Sequence, residues 1–247
     1  MKMEIFGPLL LSLIAGLSTL IGGLFIFIKF KNINKFIVIS LSFSISIMIL
    51  ISIFDLLPNS INNMTNYYGI YYGILLTILT FILGYLTIYL IANKINSESS
   101  LYKIGILSMI SLMLHNFPEG IAVFMSSYVN IRVGYKLFLA IILHNIPEGI
   151  SIAVPLYYSG RSRGIALKYT FISGVAEPIG ALLSYIFLKK YINNTMISFI
   201  LVFVSGLMMS LSINEIYKEI KKYNLINYSY IGYVVGIVIF FILSFIL

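Results

Sequence analysis

The chain has 247 residues, of which 60% are hydrophobic and only 10% are charged, and its mean hydropathy is +1.02. A soluble domain carries about 25% charged residues, so this composition excludes one. The sequence contains no cysteine, which excludes disulfides, iron–sulfur clusters and thiolate zinc sites.

Long apolar runs dominate the chain, and each is long enough for a membrane-spanning helix, which needs about 20 such residues. The segment from Leu56 to Asn93, for example, contains no charged residue. We therefore predict an all-α integral membrane protein that forms a single transmembrane domain over residues 1–247. Its eight transmembrane helices are expected at about 5–28, 36–57, 70–92, 104–128, 137–158, 169–188, 191–213 and 228–247.

The second span contains the stretch SLSFSISI at residues 40–47, which alternates polar and apolar residues. Such alternation is typical of a β-strand and raises a transmembrane β-barrel as an alternative. The apolar run is about twice as long as a barrel strand, however, and the other spans do not alternate. We therefore predict a helix, in which the serines pack closely and hydrogen-bond locally.

The net charge of +8 comes from basic residues that cluster at alternate span ends, so it does not indicate a nucleic-acid partner. Most of the 16 lysines and arginines follow spans 1, 3, 5 or 7. The positive-inside bias of membrane proteins places these span ends in the cytoplasm. We accordingly predict a multi-pass protein of the cell membrane with both termini on the extracytoplasmic side.

The two histidines of the chain open two copies of one hexapeptide, HNFPEG at 115–120 and HNIPEG at 144–149. In each copy the His and the Glu are four residues apart, so they share one face of a helix, with the Asn on its flank. Both copies fall near the middle of consecutive spans, which run antiparallel. The two motifs can therefore face each other about a pseudo-two-fold axis in the membrane plane, as in inverted-repeat transporters.

A third polar motif, GVAEPIG at 174–180, places Glu177 in the sixth span. Ionisable residues inside a membrane are rare and are functional candidates by default. The candidate metal ligands comprise two imidazoles, two carboxamides and three carboxylates: His115, Asn116, Glu119, His144, Asn145, Glu148 and Glu177. This donor set suits Zn²⁺, and also Fe²⁺, Mn²⁺ or Co²⁺, and a carboxylate can bridge two such ions. A structural His–Glu pair is the alternative for a single copy, but the duplication favours a metal site.

Three further acidic residues lie near span ends. Asp55, in the stretch SIFDLLP, is either a capping or solvated aspartate or a ligand at the entrance of a metal path. Glu215 and Glu219 alternate with lysines, and we expect them in a solvated turn at the membrane surface.

The two hexapeptides and the AEP of the sixth span resemble the ZIP (Zrt/Irt-like) divalent metal transporters, most closely their ZupT-type branch. The resemblance covers the whole chain and implies a binuclear site in the transport path. It implies that one metal position is formed by His115, Glu119, His144 and Glu148. It also implies that a second position is formed by Asn116, Glu119, Asn145, Glu148 and Glu177, with the two motif glutamates bridging.

The resemblance further implies metal uptake into the cytoplasm, in some members by sliding of one helix bundle against another. We therefore predict a transporter of Zn²⁺, and also of Fe²⁺, Mn²⁺ or Co²⁺, that carries no prosthetic group. Its partners are the metal ions and the lipid bilayer, and a homodimer is compatible with the sequence. The alternatives are an intramembrane metalloenzyme and a metal sensor that does not transport. The chain has neither an H-E-x-x-H motif nor an output domain, which argues against both.

Overall fold

The computed structural model describes residues 2–95, 99–188 and 194–246, and within these ranges the chain forms helices and no β-strand. The described residues contain eight helices, which confirms the all-α class. Their bounds are α1 Lys2–Gly23, α2 Ile33–Tyr68, α3 Ile70–Lys94, α4 Ser100–Val129, α5 Ile131–Tyr158, α6 Arg163–Leu183, α7 Asn194–Leu211 continued to Lys222, and α8 Ile226–Ile246. Residues 191–193 of the predicted seventh span lie outside the described residues.

Six of these helices, α1 to α5 and α7, are long and apolar enough to cross a membrane. Helix α8 contributes a shorter apolar stretch, Ile226–Ile242. Helix α6 falls outside this set, and its sequence includes Lys168 and Glu177 among many small residues. The chain is therefore a helical membrane protein. Helix α6, which carries the third polar motif, is less apolar than α1, α4 and α5.

Single turns of π-helix widen three helices in the described part of the chain. They lie at Ser52–Leu56 in α2, at Ser184–Leu188 after α6, and at Ser212–Ile216 in α7. Such turns are rare and occur frequently at functional sites. The turns in α2 and α7 contain Asp55 and Glu215, so two of the acidic residues near span ends lie where the helix geometry changes.

The alternating serines of α2 lie inside a helix, as predicted. Ser40, Ser42, Ser44 and Ser46 are all buried. The Ser44 hydroxyl donates to the Ser40 carbonyl at 2.9 Å, and the Ser46 hydroxyl donates to the Phe43 carbonyl at 3.0 Å. Helix α8 packs against this face, with two of its glycines beside Ser42 and Ser46. Ser44 and Ser46 therefore satisfy their own hydroxyls within the helix, and the small side chains of all four serines allow α8 to pack closely.

The helices divide into two groups that pack mainly within themselves. In the motif group, α1, α4, α5 and α6 contact one another in every pairing. In the flanking group, α2 packs on α8, α3 packs on α7, and the second half of α2 packs on both α3 and α7. The two groups meet chiefly where α2 contacts α5 and where α4 contacts α7. All seven candidate ligands belong to the motif group.

Glycines bring α4 and α6 into backbone contact. Gly120 of the first hexapeptide lies against the Glu177 carbonyl, and Gly180 lies against the Phe117 carbonyl. A Cβ atom at either position would overlap the facing oxygen. Small residues permit this approach of two helix backbones, and here they bring the first hexapeptide next to Glu177.

Helices α5 and α1 repeat this contact. Gly149 of the second hexapeptide lies against the Thr19 carbonyl, and Gly22 lies against the Ile146 carbonyl. Gly149 and Ile146 occupy the same hexapeptide positions as Gly120 and Phe117. The α5–α1 pair is therefore the counterpart of the α4–α6 pair, as the predicted inverted arrangement requires.

The pseudo-two-fold axis passes between α1 and α6. Gly16 lies against the Gly174 carbonyl, and Gly174 lies against the Gly16 carbonyl. The axis therefore relates GLSTLIG at residues 16–22 to GVAEPIG at residues 174–180, position by position. Under this relation Thr19 is the counterpart of Glu177, so the symmetry of the backbone does not extend to the ligands.

Replacing Gly120 by alanine should destabilise the protein by about 1–3 kcal/mol, because the new methyl group would collide with a backbone carbonyl that cannot turn away. Gly164→Ala is the matched control, since Gly164 is helical and has open space around it. There the higher helix propensity of alanine should stabilise by up to about 1 kcal/mol. Midpoints of thermal unfolding in detergent compare the two, and equal midpoints would contradict the backbone contact.

Candidate metal centre

The seven candidate residues lie near the middle of α4, α5 and α6 and are largely withdrawn from solvent. The exposed fractions are 0% for His115, Asn116, Asn145 and Glu177, 2% for Glu148 and 9% for Glu119, and His144 is partly exposed. Ionisable groups in such surroundings cost several kcal/mol unless they are paired or coordinate a metal. All seven predicted ligands therefore lie in the interior of the bundle, where a charged group is stable only with an ionic partner or a metal ion.

Four of these side chains form one compact cluster. Glu119 Oε1 lies 3.1 Å from His115 Nε2 and 2.8 Å from His144 Nε2, so this carboxylate connects the two hexapeptides. Glu148 Oε1 lies 3.5 Å from His115 Nε2. One ligand atom from each of His115, His144 and Glu148 lies within 4.8 Å of the others. A zinc ion with bonds of about 2.0–2.2 Å holds tetrahedral ligand atoms roughly 3.3–3.6 Å apart, so these atoms would have to draw together by no more than about 1.5 Å.

The remaining three side chains lie beside this cluster. Asn145 Nδ2 donates to Glu177 Oε1 and, at 2.9 Å, to the Ala15 carbonyl. The Asn116 amide lies between α6 and Glu148: Nδ2 donates to the Ser173 carbonyl at 3.3 Å in one orientation, and to Glu148 Oε2 at 3.0 Å in the other. Each asparagine thus reaches a carboxylate of the site, and Glu148 touches both sets.

Four acceptor atoms in the site lack a hydrogen-bond partner among the described residues. They are Glu119 Oε2, Asn145 Oδ1, Glu148 Oε1 and Glu177 Oε2. Buried polar atoms are nearly always hydrogen-bonded, and an unsatisfied one costs about 1–3 kcal/mol. A surplus of acceptors within one cluster is chemically suited to a cation, because a cation can satisfy several oxygens at once.

A cavity of about 670 Å³ between the two groups reaches His144 and Glu119. Its walls include Pro118 and Ala122 towards the end of α4, and Leu137 and Ala140 near the start of α5. The cavity therefore lies on the side of the membrane domain that carries the α4–α5 turn. Because His144 is the most exposed of the ligands, it is the one that an incoming solute meets first.

Asp55 and Asn59 of α2 line the same cavity. Asn59 Nδ2 donates to Asp55 Oδ1 at 3.1 Å, and the Asp55 side chain is exposed. Asp55 does not cap a helix, since α2 continues past it to Tyr68. Of the interpretations left open by the sequence, the structure favours a carboxylate on the way to the buried cluster.

The opposite side of the site is packed. Ser108 and Ser111, one to two turns before His115 on α4, are fully buried. Further along, Lys103 Nζ of α4 forms an ion pair with Glu215 Oε2 of α7 at 3.0 Å, which joins the two groups. The cluster is therefore accessible through the cavity and shielded on the side of the α5–α6 turn.

The expectation of a solvated turn around Glu215 and Glu219 is wrong. Glu215 is half-buried in its pair with Lys103, and Glu219 is 5% exposed. Lys222 Nζ lies 2.7 Å from Glu219 Oε2. Lys222, one of the neighbouring lysines, and Lys103 from another helix instead pair with the two carboxylates and allow them to be buried.

Sequence patterns also missed Thr19, the pseudo-symmetric counterpart of Glu177. Its hydroxyl is fully buried and has no hydrogen-bond partner within the described ranges. The signal was present as the three matching letters of GLSTLIG and GVAEPIG, but a threonine in place of a glutamate hid the relation.

The fold and the site together define a multi-pass helical membrane protein with a buried cluster of imidazoles and carboxylates. The sequence model of the family described as ZIP Zinc transporter matches residues 92–244. The chain is 31% identical to the zinc transporter ZupT of Chlorobium limicola over 94% of both chains. It is 33% identical to the zinc transporters ZupT of Streptococcus mutans, over 97% of both chains, and of Lysinibacillus sphaericus, over 93% of both.

The chain belongs to the ZIP zinc transporter family. It is accordingly a divalent metal transporter and not an enzyme, which excludes the intramembrane metalloenzyme considered from the sequence.

A cysteine introduced at Ala140, in the cavity wall, should react with a hydrophilic thiol reagent about tenfold faster than one at Ala153, which is fully buried on the same helix. The native chain supplies no competing thiol. Labelling rates of the two purified variants make the comparison. Equal rates would show that the cavity does not admit water-soluble molecules.

Proposed function

We propose that this chain carries Zn²⁺ into the cytoplasm through a binuclear site formed by α4, α5 and α6, with Fe²⁺, Mn²⁺ and Co²⁺ as further substrates. The observation that supports this function most directly is the convergence of two imidazoles and two carboxylates at the end of the cavity, with Glu177 bonded to Asn145 beside them. Zinc leads the series because the three relatives reported above are named zinc transporters.

The first metal position uses His115, His144, Glu119 and Glu148. Two imidazole nitrogens and two carboxylates are a common donor set for zinc. Binding requires neutral histidines and ionised glutamates, so a metal ion replaces the His–Glu contacts seen at 2.8 to 3.5 Å with coordinate bonds. Little rearrangement is needed, since the ligand atoms already converge.

The second metal position uses Asn116, Asn145 and Glu177 together with the two motif glutamates. Its ligands are all oxygen atoms, which suit harder ions such as Mn²⁺ and Fe²⁺ better than an imidazole set does. Glu148 is the natural bridge, because it lies near His115 in the first position and near Asn116 in the second. Bridged ions of this kind lie about 3.5–4 Å apart.

The charge of the site is compatible with two ions as well as with one, because the net charge is +1 with two ions and −1 with one. Three ionised carboxylates bring three negative charges into an apolar bundle, and a single divalent ion would leave one of them unbalanced. Two divalent ions bring four positive charges, so the pair of ions and the three glutamates nearly neutralise each other. In surroundings of low dielectric constant, such near-neutrality reduces the cost of taking charge out of water.

The direction of transport follows from the charge distribution and the cavity. The positive-inside bias of the span ends supports an α5–α6 turn in the cytoplasm and an α4–α5 turn outside, with both termini extracytoplasmic in the cell membrane. The cavity then admits metal from outside, while Lys103 and Glu215 close the cytoplasmic side. Release requires the motif group to move against the flanking group. A homodimer stays a prediction.

Glu148→Gln should lower zinc uptake into proteoliposomes by about a hundredfold or more, since even the outer-shell partners of metal ligands are typically worth 10–100-fold. The matched control is Glu219→Gln, which makes the same change at a buried glutamate that pairs with Lys222 away from the site. It should leave the uptake rate close to that of the native chain. Normal uptake by Glu148→Gln would remove the proposed site.

The number of bound ions distinguishes the two positions. We expect the purified protein to bind two zinc ions and Glu177→Gln to bind one, because Glu177 contributes to the second position alone. His115→Ala should also bind one, and Glu119→Ala, which removes a ligand of both positions, should lose both. Native mass spectrometry of the four proteins counts the ions, and a single ion in the native chain would refute the binuclear site.

The orientation can be tested with the Ala140→Cys variant in intact cells. A membrane-impermeant thiol reagent should label Ala140→Cys from outside, because the cavity is proposed to open there. Gly164→Cys, an exposed position next to the α5–α6 turn, should be labelled only after the membrane is permeabilised. The reverse pattern would invert the topology and with it the direction of transport.

A further inference from the structure

A second cavity, of about 370 Å³, lies between the two helix groups, and we call it the apolar groove. One wall comes from the motif group, with Phe25 after α1 and Pro147 on α5. The other wall comes from the flanking group, with Phe43 on α2 and Ile239 on α8. Apart from the hydroxyl of Ser40, the lining side chains are apolar. A groove of this composition in a membrane-spanning bundle suits a hydrocarbon chain.

The groove ends at the linker between α1 and α2. Phe36 lines this end, and Phe30 of the linker stacks on it with ring centroids 3.7 Å apart. Lys29 and Lys31 flank Phe30 and are exposed, while Lys35 precedes Phe36 and holds its ammonium group 4.4 Å from the Tyr228 ring. Three lysines are therefore adjacent in sequence to Phe30 and Phe36, whose stacked rings mark one end of this hydrocarbon-lined slot.

The three lysines are not paired with carboxylates among the residues that the structure describes. The sequence contains no acidic residue from Ile5 to Phe54, and none of the three forms an ion pair within the part of the chain that the structure describes. The two glutamates near the end of α7 are already engaged, since Glu215 pairs with Lys103 and Glu219 pairs with Lys222. The positive charge at this end is available to an anion.

We propose that the apolar groove binds an acyl chain of an anionic phospholipid whose headgroup phosphate lies on Lys29, Lys31 and Lys35. Basic residues at the end of a pocket between transmembrane helices are a recurring way to recognise anionic headgroups. Only a lipid carries a phosphate and a hydrocarbon chain in the arrangement that this groove and its lysines present. The acyl chain fills the space between the groups, and the phosphate replaces the missing carboxylate partners.

The position of this lipid links it to the metal site. Ile146 and Pro147 of the second hexapeptide form part of the groove wall, between the ligands His144 and Glu148 on the same helix. A bound lipid therefore contacts the segment of α5 that carries half of the site. It also touches α2 and α8, so its affinity depends on how the two groups lie against each other.

Native mass spectrometry of the purified full chain tests the headgroup, with dioleoylphosphatidylglycerol and dioleoylphosphatidylcholine as probes. The native chain should retain the anionic lipid in preference to the neutral one. In the triple variant Lys29→Gln/Lys31→Gln/Lys35→Gln that preference should fall by about fivefold for each lysine removed. Lys94→Gln/Arg161→Gln/Lys218→Gln makes the same change in charge at other loops and should keep the preference.

A groove-filling substitution tests the acyl chain separately. Val235 on α8 lines the groove, and Val235→Trp should reduce the retention of both lipids severalfold. Val238→Trp is the control, since Val238 is similarly exposed on α8 but does not line the groove. Elution as a single peak and an unchanged helical circular dichroism spectrum confirm that each variant is folded.

Three results would overturn the proposal. They are equal retention of the two lipids by the native chain, an unchanged preference in the lysine triple variant, or an unchanged retention in Val235→Trp. None of these readouts involves metal, so their failure leaves the proposed transport function intact, and a failure of transport leaves the lipid site intact.

Discussion

The burial of three carboxylates and two imidazoles in the middle of an apolar bundle is the constraint that shapes this molecule. Such a cluster is tolerated only if its members neutralise one another or bind cations. The structure meets the first condition with Glu119, which contacts both histidines. It meets the second with carboxylate and amide oxygens that have no other partner in the described part of the chain. The rest of the motif group serves to bring these side chains together.

Glycines allow the helices of the motif group to approach closely enough to bring these side chains together. Gly120 and Gly149 each follow a ligand glutamate and each lie against a carbonyl of a neighbouring helix, so the same residue that completes the hexapeptide also sets the distance between helices. The arrangement is symmetric in its backbone and asymmetric in its chemistry. Where α6 presents Glu177 to the site, α1 presents Thr19 at the related position. At this pair of related positions, one side of the axis therefore carries a carboxyl group and the other a hydroxyl group.

Local patterns sufficed to predict the helices and the seven candidate ligands. The bilayer requires long apolar runs, so these runs predict the helices. The duplicated motif contains His, Asn and Glu in otherwise apolar spans, so it predicts a metal site. The division into two groups could not be predicted, because it depends on packing between helices distant in sequence. The pairing of Glu215 with Lys103 is of the same kind: a mixture of charges looks solvated until the partner from another helix is known.

The relation between Thr19 and Glu177 is visible in the sequence only through a weak similarity between two segments. The hexapeptides were obvious because five of six letters agree, whereas GLSTLIG and GVAEPIG agree mainly at the glycines. Those glycines are the positions of backbone contact. In this protein the internal repeat is therefore easier to recognise from its glycines than from its candidate ligands. Side chains that bind an ion can diverge between the two halves, while the contact distance cannot.

The ion pair between Lys103 and Glu215 has a consequence for the electrical integrity of the membrane. The cavity ends at the cluster of candidate metal ligands, and the half-buried ion pair lies beyond it. Between them, Ser108 and Ser111 of α4 are fully buried. A solute that enters the cavity in this conformation therefore meets packed protein between the cluster and the ion pair, and this packing is what opposes a leak of protons or alkali ions through the bundle.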